Sequence, residues 1–392
     1  MAYDKVVDSQ QLDGAIRATA DAIRSKTSSS DILPWNTHTG YAEAINSITV
    51  GGNVSSAFDG VVDGTITSIN SSDDVIMRHY AFAGCSKLTD VNLPFTTEIS
   101  PYAFSGCSQL INVNIERCTT VGTQAFAGCV SLESITATQL QHIESSAFTN
   151  CGFSELNLSN KTTIGFGCFQ RCSNLSTVNM PMVSLIGEYA FAYCSNLTTV
   201  SMETASRIAM AAFQNCAALT SVSLPQVYLI GEAAFRGCAS LTNIELSKLE
   251  TIGVNAFASC SALSYVSFPA VKYISTSAFN SCSSLLSISL SALMYIQSAA
   301  FSGCNKLHTV SFTKLTSLSS HAFRSCQSLM SVYLLVSQVP SIGSYCFSST
   351  PIVSSTYTGS FGSIYVLSSM LSQFTASASW KSYASRITAY EE

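Results

Sequence analysis

Phenylalanine recurs at positions 82, 104, 126, 148, 169, 191, 213, 235, 257, 279, 301 and 323, every step being 22 residues except one of 21. Three residues after each stands a cysteine, and a looser last copy ends at Phe347. Self-similarity at a fixed period of this size marks a stack of identical units, so it constrains the fold before any other feature does. After the cysteine runs Leu-x-x-Val-x-Leu, as in Leu88-Val91-Leu93, Leu197-Val200-Met202 and Leu285-Ile288-Leu290.

The alternation that closes this pattern predicts a short strand with one buried face. Because the same strand returns every coil, successive strands run parallel and are joined by crossovers, which are right-handed in nearly all proteins. A second apolar site lies five residues before each phenylalanine, at Ile143, Ile186, Ile230 and Ile274 among others. Each coil is therefore expected to hold a main strand, a short second strand and a turn of helix through Ala-Phe-x-x-Cys. One coil buries too few side chains to offset the conformational entropy of ordering it. Stability comes from stacking, and both ends need caps. Twelve coils make a rod or arc on the order of 55–60 Å long.

These residues resemble the BspA-like branch of the leucine-rich repeat family, with its Leu-x-x-Val-x-Leu-Pro, Ile-Gly and Ala-Phe-x-x-Cys elements. The resemblance covers residues 76–350 and implies an α/β repeat solenoid, right-handed, with parallel strands, 12–13 repeats and helical caps at both ends. The consensus proline survives at Pro94, Pro181, Pro225 and Pro269. One coil is short by a residue at Cys151-Gly152-Phe153, where Phe153 fills the leucine slot. Flanking the solenoid are an N-terminal helical module over 1–50, a lead-in over 51–75 and a C-terminal cap over 351–392.

Only 10% of residues are charged and the net charge is -5, which argues against a nucleic-acid partner and against disorder. The surface must then be built of Ser, Thr and Asn. Fifteen cysteines raise disulfides or zinc. The ladder contains no Cys-x-x-Cys pair and no histidine at ligand spacing, so its twelve cysteines are expected to be buried free thiols. Cys118, Cys168 and Cys346 fall outside the ladder, and the repeat leaves open whether they are exposed or buried.

Residues 9–26 are expected to form a helix with Leu12, Ile16, Thr19 and Ile23 on one face. At that length the stripe needs a partner, either the rest of the chain or another copy in an oligomer. Ala20-Asp21-Ala22-Ile23-Arg24-Ser25-Lys26-Thr27, with Tyr41-Ala42-Glu43-Ala44-Ile45, resembles N-terminal modules of bacteriophage and prophage tail-associated proteins. The stretch from Val62 to Phe82 resembles the lead-in that such proteins place before the same repeats. That resemblance implies attachment to virion tail proteins through residues 1–50. The first residues lack a basic-then-apolar leader, and no apolar run reaches membrane-spanning length, so neither export by the usual route nor membrane insertion is expected. Beyond Phe347, Ile364-Tyr365-Val366 is expected to add a strand, and Ser369 onward one or two amphipathic helices.

The five histidines are scattered and none recurs with an acid or a nucleophile, so no catalytic residue, metal site or cofactor is expected. Two classes remain: a recognition protein binding a protein or glycan on a cell surface, and a virion spacer whose N-terminal helices are the attachment device. Within the first, the expected location is a bacteriophage tail or, alternatively, a bacterial cell surface. The residue before each inward isoleucine must face outward, giving the column His142, Leu185, Arg207, Leu229, Thr251, Tyr273, Tyr295, Ser317. Tyr265 and Tyr333 face outward beside Val266 and Val332. These tyrosines and leucines either suit a sheet surface or form a contact strip.

Overall fold

The computed structural model describes residues 66–353 and 361–391, apart from 72, 73, 75, 76 and 78. Leu12, Ile16, Ile23 and the remainder of the N-terminal module lie outside the described residues.

Each coil contributes one three- or four-residue main strand. Thr199–Ser201 pairs in parallel with Thr177–Asn179 on one side and Ser221–Ser223 on the other, aligning Val178, Val200 and Val222. A two-residue second strand follows. Eight of these, from Leu185–Ile186 to Ser341–Ile342, form one continuous ladder. Hydrogen-bonded pairing of the described main strands lapses at three places: between Ser134–Thr136 and Glu155–Asn157, where the short coil falls, between Ser221–Ser223 and Asn243–Glu245, and between Ser287–Ser289 and Thr309–Phe312. In the short coil Phe153 is buried and packs edge-on against Phe148 at 5.5 Å, so that coil keeps its core.

Between the ladders the phenylalanines are stacked down the axis of the solenoid, with centroids 5.2–5.7 Å apart from Phe82 to Phe347. Leucine, valine and isoleucine columns flank them.

The expected turn of helix is absent. Ala-Phe-x-x-Cys instead forms linked tight turns, with residues in the left-handed region at two positions four apart, such as Ala233 (φ 53°) and Gly237 (φ 75°). This geometry turns alternate peptide groups along the solenoid axis. Ala233, Phe235 and Gly237 N–H groups each donate to the next coil, at Val254 O, Ala256 O and Ala258 O, over 2.8–2.9 Å. A helix would have directed those donors within its own coil. A third hydrogen-bonded ladder satisfies them between coils instead.

Cys118, Cys168 and Cys346, whose exposure the sequence left open, are buried, and all fifteen cysteines are free. Cys168 and Cys346 occupy the buried alanine position immediately before Phe169 and Phe347. Cys118 lies in the column that holds Leu140, Val183 and Val227 elsewhere. Along the ladder each thiol points at the preceding coil's phenylalanine carbonyl, as Cys238 Sγ does at Phe213 O (3.2 Å). Alanine would fill less of this space and leave that contact unmade. The surface hydroxyls act in the same direction: Thr198 Oγ1 donates to Ser176 O and Ser264 Oγ to Thr242 O, each one coil back. A skin rich in Ser and Thr thus tethers adjacent coils without charge.

Glycine has a separate role after the inward isoleucine. The φ of Gly253 is not left-handed, so no turn requires glycine there. A Cβ there would meet the Gly231 backbone carbon at 2.5 Å, so the residue permits close stacking of coils.

At the C-terminal end, Ser363–Leu367 extends the main ladder beside Ser331–Leu334, as expected from Ile364-Tyr365-Val366. Of the one or two helices expected from Ser369 onward, the cap holds one α-helix, Leu371–Ala376, with 3-10 turns at Ser368–Met370 and Lys381–Arg386. Ile387, read as helical, instead opens a strand, Ile387–Tyr390, that pairs in parallel with Ser363–Leu367. Trp380 holds this cap in place. It is fully buried, its Nε1 donates to Pro340 O over 2.7 Å, and its ring meets Phe374 and Tyr383 edge-on. Tyr383 covers Phe347, the last ring of the stack, at 5.5 Å. Replacing Trp380 with Phe leaves Pro340 O unpaired and a gap beside Phe374, a loss of about 2–4 kcal/mol. Because coil stabilities add locally, hydrogen exchange should accelerate over residues 341–391 and remain slow over residues 200–260. Equal acceleration in both regions would refute a local capping role.

Candidate recognition surface

The second strands place alternate side chains with little freedom. Ile274 and Ile296 point inward and are buried, so Tyr273 and Tyr295 point outward from adjacent coils that are in direct register. Their rings stack face to face at 4.7 Å with planes 2° apart. Tyr273 is 51% exposed, a large fraction for an aromatic ring, and Tyr295 is half-buried. The parallel register continues Leu185, Arg207, Leu229, Thr251, Tyr273, Tyr295, Ser317 as one outward column. Leu185 is exposed and Leu229 half-buried. Four of the candidate contact residues therefore share one strip.

Tyr265 and Tyr333 do not join it, because they lie on main strands. Tyr265 precedes the inward Val266 whereas Tyr333 follows the inward Val332, which puts the two in different columns. Both are half-buried. Tyr333 stacks on Tyr365 at 4.7 Å and meets Tyr390 edge-on at 5.5 Å, forming an aromatic cluster on the outer face of the final strands.

A groove of about 710 Å³ beside the strip was missed from the sequence. It runs across adjacent coils and is lined by Thr204, Ser206, Gln226, Tyr228, Lys248 and Glu250. Tyr228 stands just ahead of the outward Leu229. The second strand begins only at Leu229, so Tyr228 belongs to the preceding corner, where period-two alternation does not operate, and it is exposed. The signal available was polarity: Ser206, Tyr228, Glu250 and Lys272 recur at 22-residue spacing where an inward column would be apolar.

Among the described residues no group of three or more His, Cys, Asp or Glu side chains converges as a metal site. Nor is any described helix long and apolar enough to cross a membrane.

Parallel strands repeated every 22 residues, inward Leu, Ile and Phe columns and freely varying outward columns define a leucine-rich repeat solenoid. The chain belongs to the BspA type leucine-rich repeat family, described as a region of six copies, whose model matches residues 54–176, 97–217, 162–285, 206–330 and 250–372. A leucine-rich repeat protein from Bacteroides ovatus is 23% identical, with 83% of this chain and 92% of that chain covered and a TM-score of 0.60. One from Eubacterium ventriosum is 18% identical over 75% of this chain and 93% of that one, with a TM-score of 0.46. A leucine rich cell surface protein from Faecalibacterium prausnitzii is 26% identical over 58% of this chain and 74% of that one, with a TM-score of 0.38. No curated protein matches. The family match begins at residue 54, so it lends no support to the resemblance between residues 20–45 and tail-associated modules.

Proposed function

We propose that the protein is a non-catalytic recognition protein of a bacterial cell surface, whose outward second-strand column contacts a protein or glycan on another cell surface. The observation that carries this reading is the Tyr273–Tyr295 stack, in which two large rings are held outward in register although the core does not require them. Tyrosine supplies contact area with few rotatable bonds, and aromatic residues dominate binding energy at interfaces. Leu185 and Leu229 extend the strip with apolar area.

The sequence of residues 20–45 favours a second reading. There the same solenoid is carried by a virion tail through residues 1–50, with Leu12, Ile16 and Ile23 as the attachment or oligomer stripe. Both readings give the solenoid the same task and differ in what holds it. Deleting residues 1–50 separates them, because loss of assembly into virions belongs to the second reading alone.

The test of the shared task is the double change Tyr273→Ser with Tyr295→Ser. Attachment to target cells should weaken by at least about tenfold, with the melting temperature kept within a few degrees, since both side chains lie outside the core. Undiminished attachment by the folded variant would remove the strip from the contact.

A further inference from the structure

From the chemistry of the groove beside the tyrosine strip, we infer that it is a carbohydrate subsite, taking a neutral oligosaccharide laid along the solenoid axis. This inference rests on the recognition reading and specifies what one part of the surface binds.

The groove holds one aromatic ring and a surrounding set of hydrogen-bonding groups. Tyr228 is 40% exposed and, unlike Tyr273, stacks on no other ring among the described residues. An exposed, unstacked ring at the edge of a polar groove suits the C–H face of a pyranose. Around it, Lys248 Nζ donates to Gln226 Oε1, which leaves the Gln226 amide N–H₂ directed elsewhere. Ser206 and Thr204 donate their hydroxyl protons to backbone carbonyls of the preceding coil, at Ser184 O over 3.2 Å and Pro181 O over 2.8 Å, so their free lone pairs remain as acceptors. The Glu250 carboxylate has no side-chain partner among the described residues. Fixed donors and acceptors are therefore interspersed around one ring, which matches a ligand carrying a hydroxyl on nearly every carbon.

Charge and shape restrict the ligand further. Lys248 and Glu250 place one positive and one negative group in the groove, which gives an anionic polymer no net attraction. The lining comes from successive coils, from Thr204 to Ala270, so the groove runs along the axis and favours an elongated ligand. A peptide has less to bind here. Every second strand from Arg207–Ile208 to Ser317–Leu318 is already paired on both sides, so no edge is free for strand addition. The lining also offers no enclosed apolar pocket for an anchoring side chain.

The experiment uses the full chain and a printed panel of neutral linear tetrasaccharides in gluco, galacto and manno configurations. Hits are then titrated by calorimetry. Tyr228→Ala and Glu250→Gln should each weaken a hit by at least tenfold. Tyr273→Ser with Tyr295→Ser should leave that titration unchanged, even where it reduces attachment to cells. Periodate oxidation of the target cells should reduce attachment of the wild-type chain. An empty panel, or hits that both groove variants bind as the wild type does, would overturn the subsite. Attachment that survives periodate but is lost on protease treatment of the target cells would also overturn it, in favour of a protein partner. In that outcome the recognition reading stands on the tyrosine strip alone.

Discussion

Raising the pH through 9 to 10 should unfold the solenoid cooperatively. Burial pushes the Cys85 and Cys118 thiols up to about 11, and Cys129, Cys168, Cys172, Cys216, Cys260 and Cys346 up to about 12, from an ordinary value of 9.0. Burial likewise pushes Cys107, Cys151, Cys194, Cys238, Cys282 and Cys304 well above that value, with neighbouring ladder thiols adding to the effect. Above pH 9 the unfolded chain releases these protons while the folded chain retains them. The unfolded state then binds fewer protons, so stability falls with rising pH from about 9 until the folded thiols themselves ionise, near 11–12 and beyond. One pH unit above 9.0 costs about 1.4 kcal/mol per thiol. Fourteen thiols together reach the order of 20 kcal/mol, comparable with or above the whole stability of an ordinary domain. Thiolate absorbance should stay flat and then rise in one step with the loss of the far-ultraviolet sheet signal. A smooth rise near pH 9 with the sheet signal intact would show accessible thiols. At neutral pH the same burial should leave all fifteen cysteines unlabelled by thiol reagents until denaturant is added.

The same columns decide what the sequence makes legible. The Phe, Leu and Ile positions repeat with their chemistry unchanged, because each must fill the same space against the coil before it. Spacing alone therefore locates the core, the parallel register and the outward position of Tyr273. The burial of Cys118 is not legible from its distance to Phe-x-x-Cys, only from the column it shares with Val227. The linked turns were taken for helix because local spacing favours a helical turn, whereas the donors are satisfied by a neighbouring coil. Gly84, Gly106, Gly128, Gly237 and Gly303, all left-handed, fall two residues after a ladder phenylalanine and carry the relevant signal. Asn150, Arg171 and Ser259 occupy the same position with positive φ and hide it. Tyr228 lies at the corner before the second strand, where alternation, a property of extended chain, does not operate. The recognition surface is consequently less legible than the core, since nothing in the repeat restricts what an outward column holds.

Phe235→Ala should cost about 3–5 kcal/mol, toward the upper end of that range. Phe235 is fully buried and stacks on Phe213 at 5.3 Å and on Phe257 at 5.4 Å, so truncation removes both ring contacts as well as the buried area. The coils on either side are held apart by their own ladders of backbone hydrogen bonds, which limits collapse into the gap. Phe82, at the end of the stack, is 8% exposed and should tolerate the same change at lower cost. Position in the array also shapes the transition. Coil stabilities couple only through nearest neighbours, so weakening one interface mid-array separates the solenoid into two cooperative units. Urea unfolding at neutral pH should therefore show a lower midpoint and a broadened or two-step transition for Phe235→Ala, and a single, slightly shifted one for Phe82→Ala. A loss under about 1 kcal/mol for Phe235→Ala, with the width unchanged, would mean that the ring stack does not carry the coupling between coils and that the strand and turn ladders do.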